Sequence, residues 1–352
     1  MADPRGEGMS TDHRIALCHE WLTTYGGSEQ VAQRIAAALD IKDVYTFTMW
    51  PETARSLFPD SDVKSLPRGG NRLAREHWQW MLPVMPGAWS KLDLSDHDVV
   101  FTSSHACVNA IRVRPGAKHI SYCHTPMRYA WEWRSEIGRI PAPLRPAWPA
   151  LASRLRRADK RWSQNVDLFL ANSNYVARRI RSAYGRAAVV VYPPVDTSYW
   201  TPSSSARGDY FLLAGRQVAY KRPEIAVRAA NRTRLSLVVA GGGPEMERLR
   251  AIAGPTVTFV EDPERDRLRD LYRAARALVV PGVEDFGMTL VESQACGTPV
   301  IARAEGGALE AVRGGRTGTL YHGASADDLA DAMEAFDETG FDQANLVEHA
   351  AR

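Results

Sequence analysis

Short runs of aliphatic and β-branched residues alternate with stretches of helical spacing along almost the whole chain. Ile15, Ala16, Leu17 and Cys18 form the first run, and a loop with Gly26 and Gly27 follows. The spacing then predicts a helix over 28–39, with Ser28 as its N-cap. Residues 43–48, 98–102, 119–123 and 167–171 read as further short strands. Over 150–162, Leu151, Leu155, Ala158 and Trp162 recur at helical spacing, with Arg154, Arg157, Lys160 and Arg161 around the other side. Strand, loop, helix, strand is the rhythm of a doubly wound parallel sheet.

The pattern breaks near Tyr192, Pro193 and Pro194, and residues 201–208 (TPSSSARG) read as a linker. A second series follows, with strands expected over 210–214, 235–240, 257–260, 277–281 and 299–302. The predicted class is α/β: a doubly wound domain at 13–200, a linker at 201–208 and a second doubly wound domain at 209–352, facing each other across a cleft. Residues 1–12 are expected to be a disordered leader, with Met9 an alternative start.

Composition narrows the class further. The chain has 352 residues, 45% hydrophobic and 24% charged, which excludes collagen-like, disordered and disulfide-framework proteins. It has no apolar run of about 18 residues and no signal-peptide core, so a cytoplasmic protein is expected. Cys18, Cys107, Cys123 and Cys296 show no CxxC spacing and read as reduced thiols, not as a zinc site. The net charge is only +3, but residues 134–186 hold 12 Lys and Arg against Glu136, Asp159 and Asp167, a net +9. An anionic membrane surface, such as the inner face of a plasma membrane, or a phosphate-bearing substrate would explain that excess. Arginines outnumber lysines 38 to 6, a ratio assigned to codon bias.

The most informative stretch runs from Glu284 through Asp285, Phe286, Gly287, Met288 and Thr289 to Glu292. It follows a predicted strand and opens a helix near Met288 that ends at Gly297. Backbone N–H groups of Gly287, Met288 and Thr289 are then unsatisfied at a helix N-terminus, a ready place for a phosphate. Glu284 and Glu292 are spaced to grip two sets of hydroxyls on one ligand; the alternative is that Glu292 only caps or solvates the helix. Arg216 and Lys221 lie in the loop after another strand, where cations converge on an anion or sit solvated. Two such cations suit a diphosphate leaving group without a metal.

With Arg216 and Lys221 upstream, the E-x7-E pair Glu284 and Glu292 resembles retaining glycosyltransferase family 4, of the GT-B fold. Gly26, Gly27, Ser28 and Glu29 match that family's GGxE loop. Tyr122 to Tyr129 resembles the YCHTPxRY element of its bacterial cell-surface mannosyltransferase-like members. Asn172-Ser173 and Gly241-Gly242-Gly243-Pro244 fall where the family has NS and GxGP. The resemblance implies that Arg216 and Lys221 bind the donor diphosphate, aided by backbone at Gly26, Gly27 and Gly287 to Thr289 beside Phe286. It implies that Glu284 holds the donor sugar and Glu292 the ribose, that Val260 and Glu261 face the nucleobase, and that His124 stabilises an oxocarbenium-like transition state. The implied reaction is a retaining, metal-free transfer of a hexose, foremost mannose from GDP-mannose, to a glycan or lipid-linked acceptor. A UDP-sugar is the runner-up donor, and a phosphorylase or epimerase relative stands behind both. The family's closing helix crosses back to the first domain, and here it is expected to be missing after residue 352.

Several features keep a second reading. The triplets Asp60-Ser61-Asp62 and Asp96-His97-Asp98 are either metal-binding D-x-D motifs or turn chemistry. His124 is a catalyst or a hydrogen-bonded core histidine. Trp78, Trp80, Met81, Leu82, Met85 and Trp89, near Arg68, Arg72, Arg75 and Lys91, form an interfacial patch or part of the core. A nucleic-acid binder built on the basic segment leaves the paired glutamates unexplained, so no nucleic-acid partner is expected.

Overall fold

The computed structural model describes residues 13–137, 142–204 and 207–352; the expected leader lies outside them, as do Ser205 and Ala206 of the expected linker. Seven strands, β1 (Ile15–His19), β2 (Asp43–Thr46), β3 (Asp62–Ser65), β4 (Val99–Ser104), β5 (Lys118–Cys123), β6 (Leu168–Ala171) and β7 (Val189–Val190), form one sheet in the order β3-β2-β1-β4-β5-β6-β7. Six more, β8 (Phe211–Ala214), β9 (Leu237–Ala240), β10 (Val257–Val260), β11 (Ala277–Val280), β12 (Val300–Arg303) and β13 (Gly318–Tyr321), form a second in the order β10-β9-β8-β11-β12-β13. In the first sheet β1 pairs in parallel with both β2 and β4, and in the second β8 pairs in parallel with both β9 and β11. The strand order therefore reverses beside β1 and beside β8. Loops leave these switch points toward opposite faces of the sheet and open a crevice at the strand C-terminal ends.

Contacts divide the described residues into two compact units. One lies within Met1–Ala130, Ala150–Leu170 and Ala183–Ala188, the other within Trp131–Pro149, Ala171–Ser182 and Val189–Arg352. The segment 201–208 follows β7 and precedes β8, within the span of the second unit.

The second sheet is buried on both faces, as strands flanked by helices must be. Phe211, Leu213, Leu237, Val239, Val279 and Ile301 face one side, with the helices Pro223–Thr233 and Ala326–Glu334. Leu212, Ala214, Ala240, Leu278 and Val280 face the other, with Arg265–Ala274 and Met288–Ala295. This alternation is the strand period of two read across a whole sheet.

Three strands escape the hydrophobic pattern: β3, β7 and β13. All three are edge strands. An edge has one neighbour and needs no continuous apolar run, and β3 alternates Asp62, Val63, Lys64 and Ser65 with its charges outward. That placement also accounts for the first D-x-D triplet, since Asp62 opens β3 and pairs with Lys64 at 2.8 Å. In the second triplet Asp98 accepts the Arg14 N–H at 3.2 Å and pairs with Arg114, while His97 Nε2 meets Asp43 Oδ2 at 3.2 Å.

Ser28 is not the cap of the first helix. The helix runs Gly27–Ala38 with extended Gly26 at the N-cap, and the Ser28 hydroxyl donates instead to Glu29 Oε2 at 2.8 Å. The helix begins one residue before Ser28, so its hydroxyl is not at the position from which an N-cap accepts the first-turn N–H groups. The aromatic cluster divides: Trp78, Leu82, Met85 and Trp89 are core, with Trp78 stacked on Trp21, Met81 is half-buried, and Trp80 is 53% exposed. The amphipathic helix spans Trp148–Trp162 with Arg154, Arg157, Lys160 and Arg161 outward. Asp159 is turned inward, accepting from the Tyr184 hydroxyl at 2.8 Å, a burial no charge pattern announces.

Leu278 is fully buried in a central strand of the second sheet. Leu278→Ala is expected to lower unfolding free energy by about 2–5 kcal/mol in urea titrations. Leu309→Ala, at an exposed position, is expected to change it by less than about 0.5 kcal/mol.

Candidate functional site

At the switch point of the second sheet, Arg216, Gln217, Lys221, Glu284 and Thr289 line one concavity, floored by Leu213, Val279 and Val280. Arg216 follows β8 and is exposed, with no ion pair among the described residues. Its loop is fixed from both ends: Gly215 N–H donates to Ala240 O at 3.0 Å and Gln217 N–H to Gly242 O at 2.8 Å. Lys221 closes the 3-10 turn Ala219–Lys221 and is half-buried. The loop after β11 presses on its backbone so closely that a β-carbon at Gly282 would stand 2.5 Å from the Lys221 carbonyl oxygen. Only glycine permits that approach.

Lys221 Nζ lies 3.0 Å from Glu284 Oε1, and both side chains are largely screened from solvent. The Glu284 carbonyl accepts the Gly307 N–H at 2.7 Å, which anchors the loop from the far side. Gly287 adopts φ +90°, a conformation suited to glycine, and turns the chain into the Met288–Ala295 helix. Gly287 at the N-cap has no side chain to cap that helix, and Thr289 of its first turn lines the concavity together with the two cations. A helix N-terminus, a guanidinium and an ammonium make a strong anion site.

The sequence singles out Asp285 only as part of the motif, yet it holds the loop. Arg179 Nη1 donates to Asp285 Oδ1 at 2.7 Å and Arg179 also pairs with Glu132 at 2.6 Å. The Ser173 hydroxyl accepts the Val176 N–H at 3.0 Å, capping the Asn174–Tyr184 helix, and donates to the Asp285 carbonyl at 2.5 Å. Glu310 accepts the N–H groups of Asn174 and Tyr175 at 2.8 and 2.9 Å. Phe286 lies against Tyr192, ring centres 5.5 Å apart. Asn172-Ser173 is thus a brace for the glutamate loop, a role its position in the sequence does not disclose.

Glu292 is buried, not a solvated helix face, and its Oε2 accepts the Tyr272 hydroxyl at 3.1 Å. Burial raises its pKa to about 7, against the opposing pull of Tyr272, Arg265 and Lys221. Tyr272, on a different helix, carries no sequence signal for this contact. Val260 ends the edge strand β10, Glu261 follows it, and neither lines the concavity; Glu261 pairs at the surface with Arg250 at 2.7 Å. Gly26, Gly27 and His124 belong to the first unit. There Gly26 and Gly27 open an uncapped helix, and His124, half-buried after β5, bonds through Nε2 to Ser103 Oγ at 2.8 Å.

Residues 25–199 match the family described as Glycosyltransferase Family 4, and residues 202–352 match Glycosyl transferases group 1. A D-inositol 3-phosphate glycosyltransferase of Nocardiopsis dassonvillei is 36% identical over 215 residues, 52% of this chain and 50% of that protein. One from Acidothermus cellulolyticus is 36% identical over 218 residues, 53% of this chain and 48% of that protein. The match thus spans about half the length of these relatives. Among solved structures, Anabaena HepE in complex with UDP and glucose aligns with TM-score 0.70 and 18% identity over 96% of this chain and 95% of its own. Sucrose-phosphate synthase from Thermosynechococcus elongatus aligns with TM-score 0.71 and 20% identity over 96% and 94%. These likenesses establish the fold as GT-B, built from two parallel-sheet α/β domains.

The shifted Glu292 has a consequence for stability. An ordinary glutamate in the unfolded chain loses its proton near about pH 4.3, whereas folded Glu292 keeps its proton to about 7. Its stabilising contribution is therefore full below the unfolded value and falls as pH rises through that window. Glu292→Gln removes the ionisation, so its melting temperature relative to wild type is expected to be higher at pH 8 than at pH 5. An offset independent of pH would contradict the assignment.

Proposed function

We propose that this chain, with a Glycosyltransferase Family 4 domain and a Glycosyl transferases group 1 domain, moves a hexose from a nucleotide-sugar to a hydroxyl of a glycan or lipid-linked acceptor. The observation that carries the proposal is the grouping of Arg216, Lys221, the uncapped Met288–Ala295 helix and Glu284 at one switch point. Cations and backbone N–H groups suit a diphosphate, and a carboxylate beside them suits sugar hydroxyls.

In this reading the sugar C1–O bond breaks with its electron pair leaving on the diphosphate, whose growing charge Arg216, Lys221 and the helix N-terminus stabilise. The acceptor oxygen bonds to C1 from the same face, and its proton passes to the departing phosphate oxygen, so the anomeric configuration is retained. Protein cations take the part a divalent metal plays elsewhere. Glu284 holds the sugar, Glu292 the ribose, and His124 supports the oxocarbenium-like transition state. GDP-mannose is the donor we favour, from the Tyr122–Tyr129 resemblance. A UDP-sugar is the second reading, favoured by the likeness to HepE, solved with UDP and glucose.

Exposed Trp80 and Leu73, with Arg72 and Arg75 nearby in sequence, and the basic face of Trp148–Trp162 support peripheral contact with an anionic membrane carrying the acceptor. Among the described residues, no helix is long and apolar enough to cross a membrane.

Calorimetric titration with GDP, UDP and ADP, with and without EDTA, tests the donor site. Micromolar binding of one nucleotide, unchanged by EDTA and weakened at least about tenfold in Arg216→Ala, is the expected result. EDTA-sensitive binding would overturn the metal-free reading, and binding of none of the three would overturn the donor assignment. Glu284→Ala is expected to abolish transfer while leaving the circular dichroism spectrum intact.

A further inference from the structure

The chain enters the second unit at Trp131, two residues beyond the Tyr122–Tyr129 element. Glu132 stands there at the N-cap of the short helix Trp133–Glu136, but its carboxylate makes no cap hydrogen bond. It meets Arg179 instead, whose Nη2 lies 2.6 Å from Glu132 Oε1. Nη1 of the same guanidinium donates to Asp285 Oδ1 at 2.7 Å. The short helix packs beside the turn Ala219–Lys221. The segment that carries Glu132 is therefore tied to both loops of the crevice, to the cation loop by this packing and to the glutamate loop through Arg179.

Three features separate this clasp from an ordinary surface ion pair. The two carboxylates take different nitrogens of one planar fork, so neither displaces the other. Arg179 is only 14% exposed and Asp285 17%, which removes most of the solvent screening that weakens exposed pairs. Arg179 also has a fixed base. Its helix, Asn174–Tyr184, is capped by Ser173 and by Glu310, which accepts the N–H groups of Asn174 and Tyr175. With the base fixed, Glu132 decides which way the long, flexible side chain reaches. The guanidinium so placed holds Asp285, the neighbour of Glu284. The Asp285 carbonyl is held separately, by the Ser173 hydroxyl. Arg179 thus orients the Asp285 side chain, and Ser173 its backbone.

We infer that Glu132, acting through Arg179, is a positioning residue for the glutamate loop. It sets the direction of the Arg179 side chain, and Arg179 fixes Asp285 and with it the carboxylate of Glu284 beside Lys221. Glu132 does not itself line the concavity. The segment after the Tyr122–Tyr129 element thereby joins the groups that hold Glu284 in place. The part of this inference that concerns turnover rests on the transfer reaction proposed above.

Hydrogen–deuterium exchange of the ligand-free protein tests the tie directly, read by mass spectrometry on peptides that hold Gly307 and Leu290. Their N–H groups donate to the carbonyls of Glu284 and Gly287, so their protection follows the order of the glutamate loop. Glu132→Gln, which keeps the shape and removes the charge, is expected to speed exchange there about threefold or more, with peptides of β8 unchanged. Arg179→Met is expected to do at least as much, and adding Glu132→Gln to it to do nothing further. Unchanged exchange in Glu132→Gln, equal acceleration in β8, or additive effects of the two substitutions would overturn the inference. With the donor nucleotide identified by calorimetry, kcat/KM for the matching nucleotide-sugar is expected to fall about tenfold in Glu132→Gln. A loosened loop with kcat/KM intact would overturn the role of Glu132 in transfer. Absence of nucleotide binding by the wild-type protein would overturn the donor assignment, while the exchange result still decides the tie.

Discussion

The reversal of strand order beside β8 is the constraint on which the candidate site depends. Because β9 and β11 flank β8 in parallel, the loops after β8 and β11 leave in opposite directions and cannot fill the space between them. Arg216 and Lys221 come from one loop and Glu284 from the other, so the cations and the carboxylate meet only where the sheet leaves that gap. The first sheet has the same reversal beside β1, and there it gathers His19, Ser103 and His124. One topological rule thus positions both clusters.

A crevice alone leaves loops mobile, and much of the second unit serves to hold them. Asp285 is bound through its carboxylate by Arg179 and through its carbonyl by Ser173, while Gly307 takes the carbonyl of Glu284. The same Ser173 caps the helix that carries Arg179, so the brace is itself anchored. The result is a set of donors preorganised at fixed positions, which is worth more to a developing anion than the same groups in water. Burial of Glu292 adds a different element, a carboxyl whose charge is set by its surroundings as much as by pH.

The two clusters differ in how polarity is tolerated. At the second sheet the charged groups reach solvent or pair with one another across a half-open crevice. At the first, His19 and Ser103 are buried and His124 is half-buried, and the Ser103 hydroxyl meets both imidazoles. Removing one member of such a group leaves a buried polar atom without that partner, the costlier of the two situations.

The α/β class, the central strands and the glutamate motif were legible in the sequence because each rests on local physics. Apolar runs flanked by helical spacing mark buried parallel strands, and a glycine between a strand and a helix marks a loop that can approach an anion closely. The missed strands β3, β7 and β13 are edges, whose single neighbour asks for no apolar run. The loop cations and Glu284 were legible for a similar reason, since strand-end loops of a doubly wound sheet converge. Tyr272 against Glu292, Ser173 against Asp285 and Ser103 between two histidines were not, because each joins residues distant along the chain. Local sequence determined which residues form strands and helices and which loops carry charge. Only tertiary packing decided which polar atoms meet, because a hydrogen bond depends on tenths of an ångström that no spacing along a chain can encode.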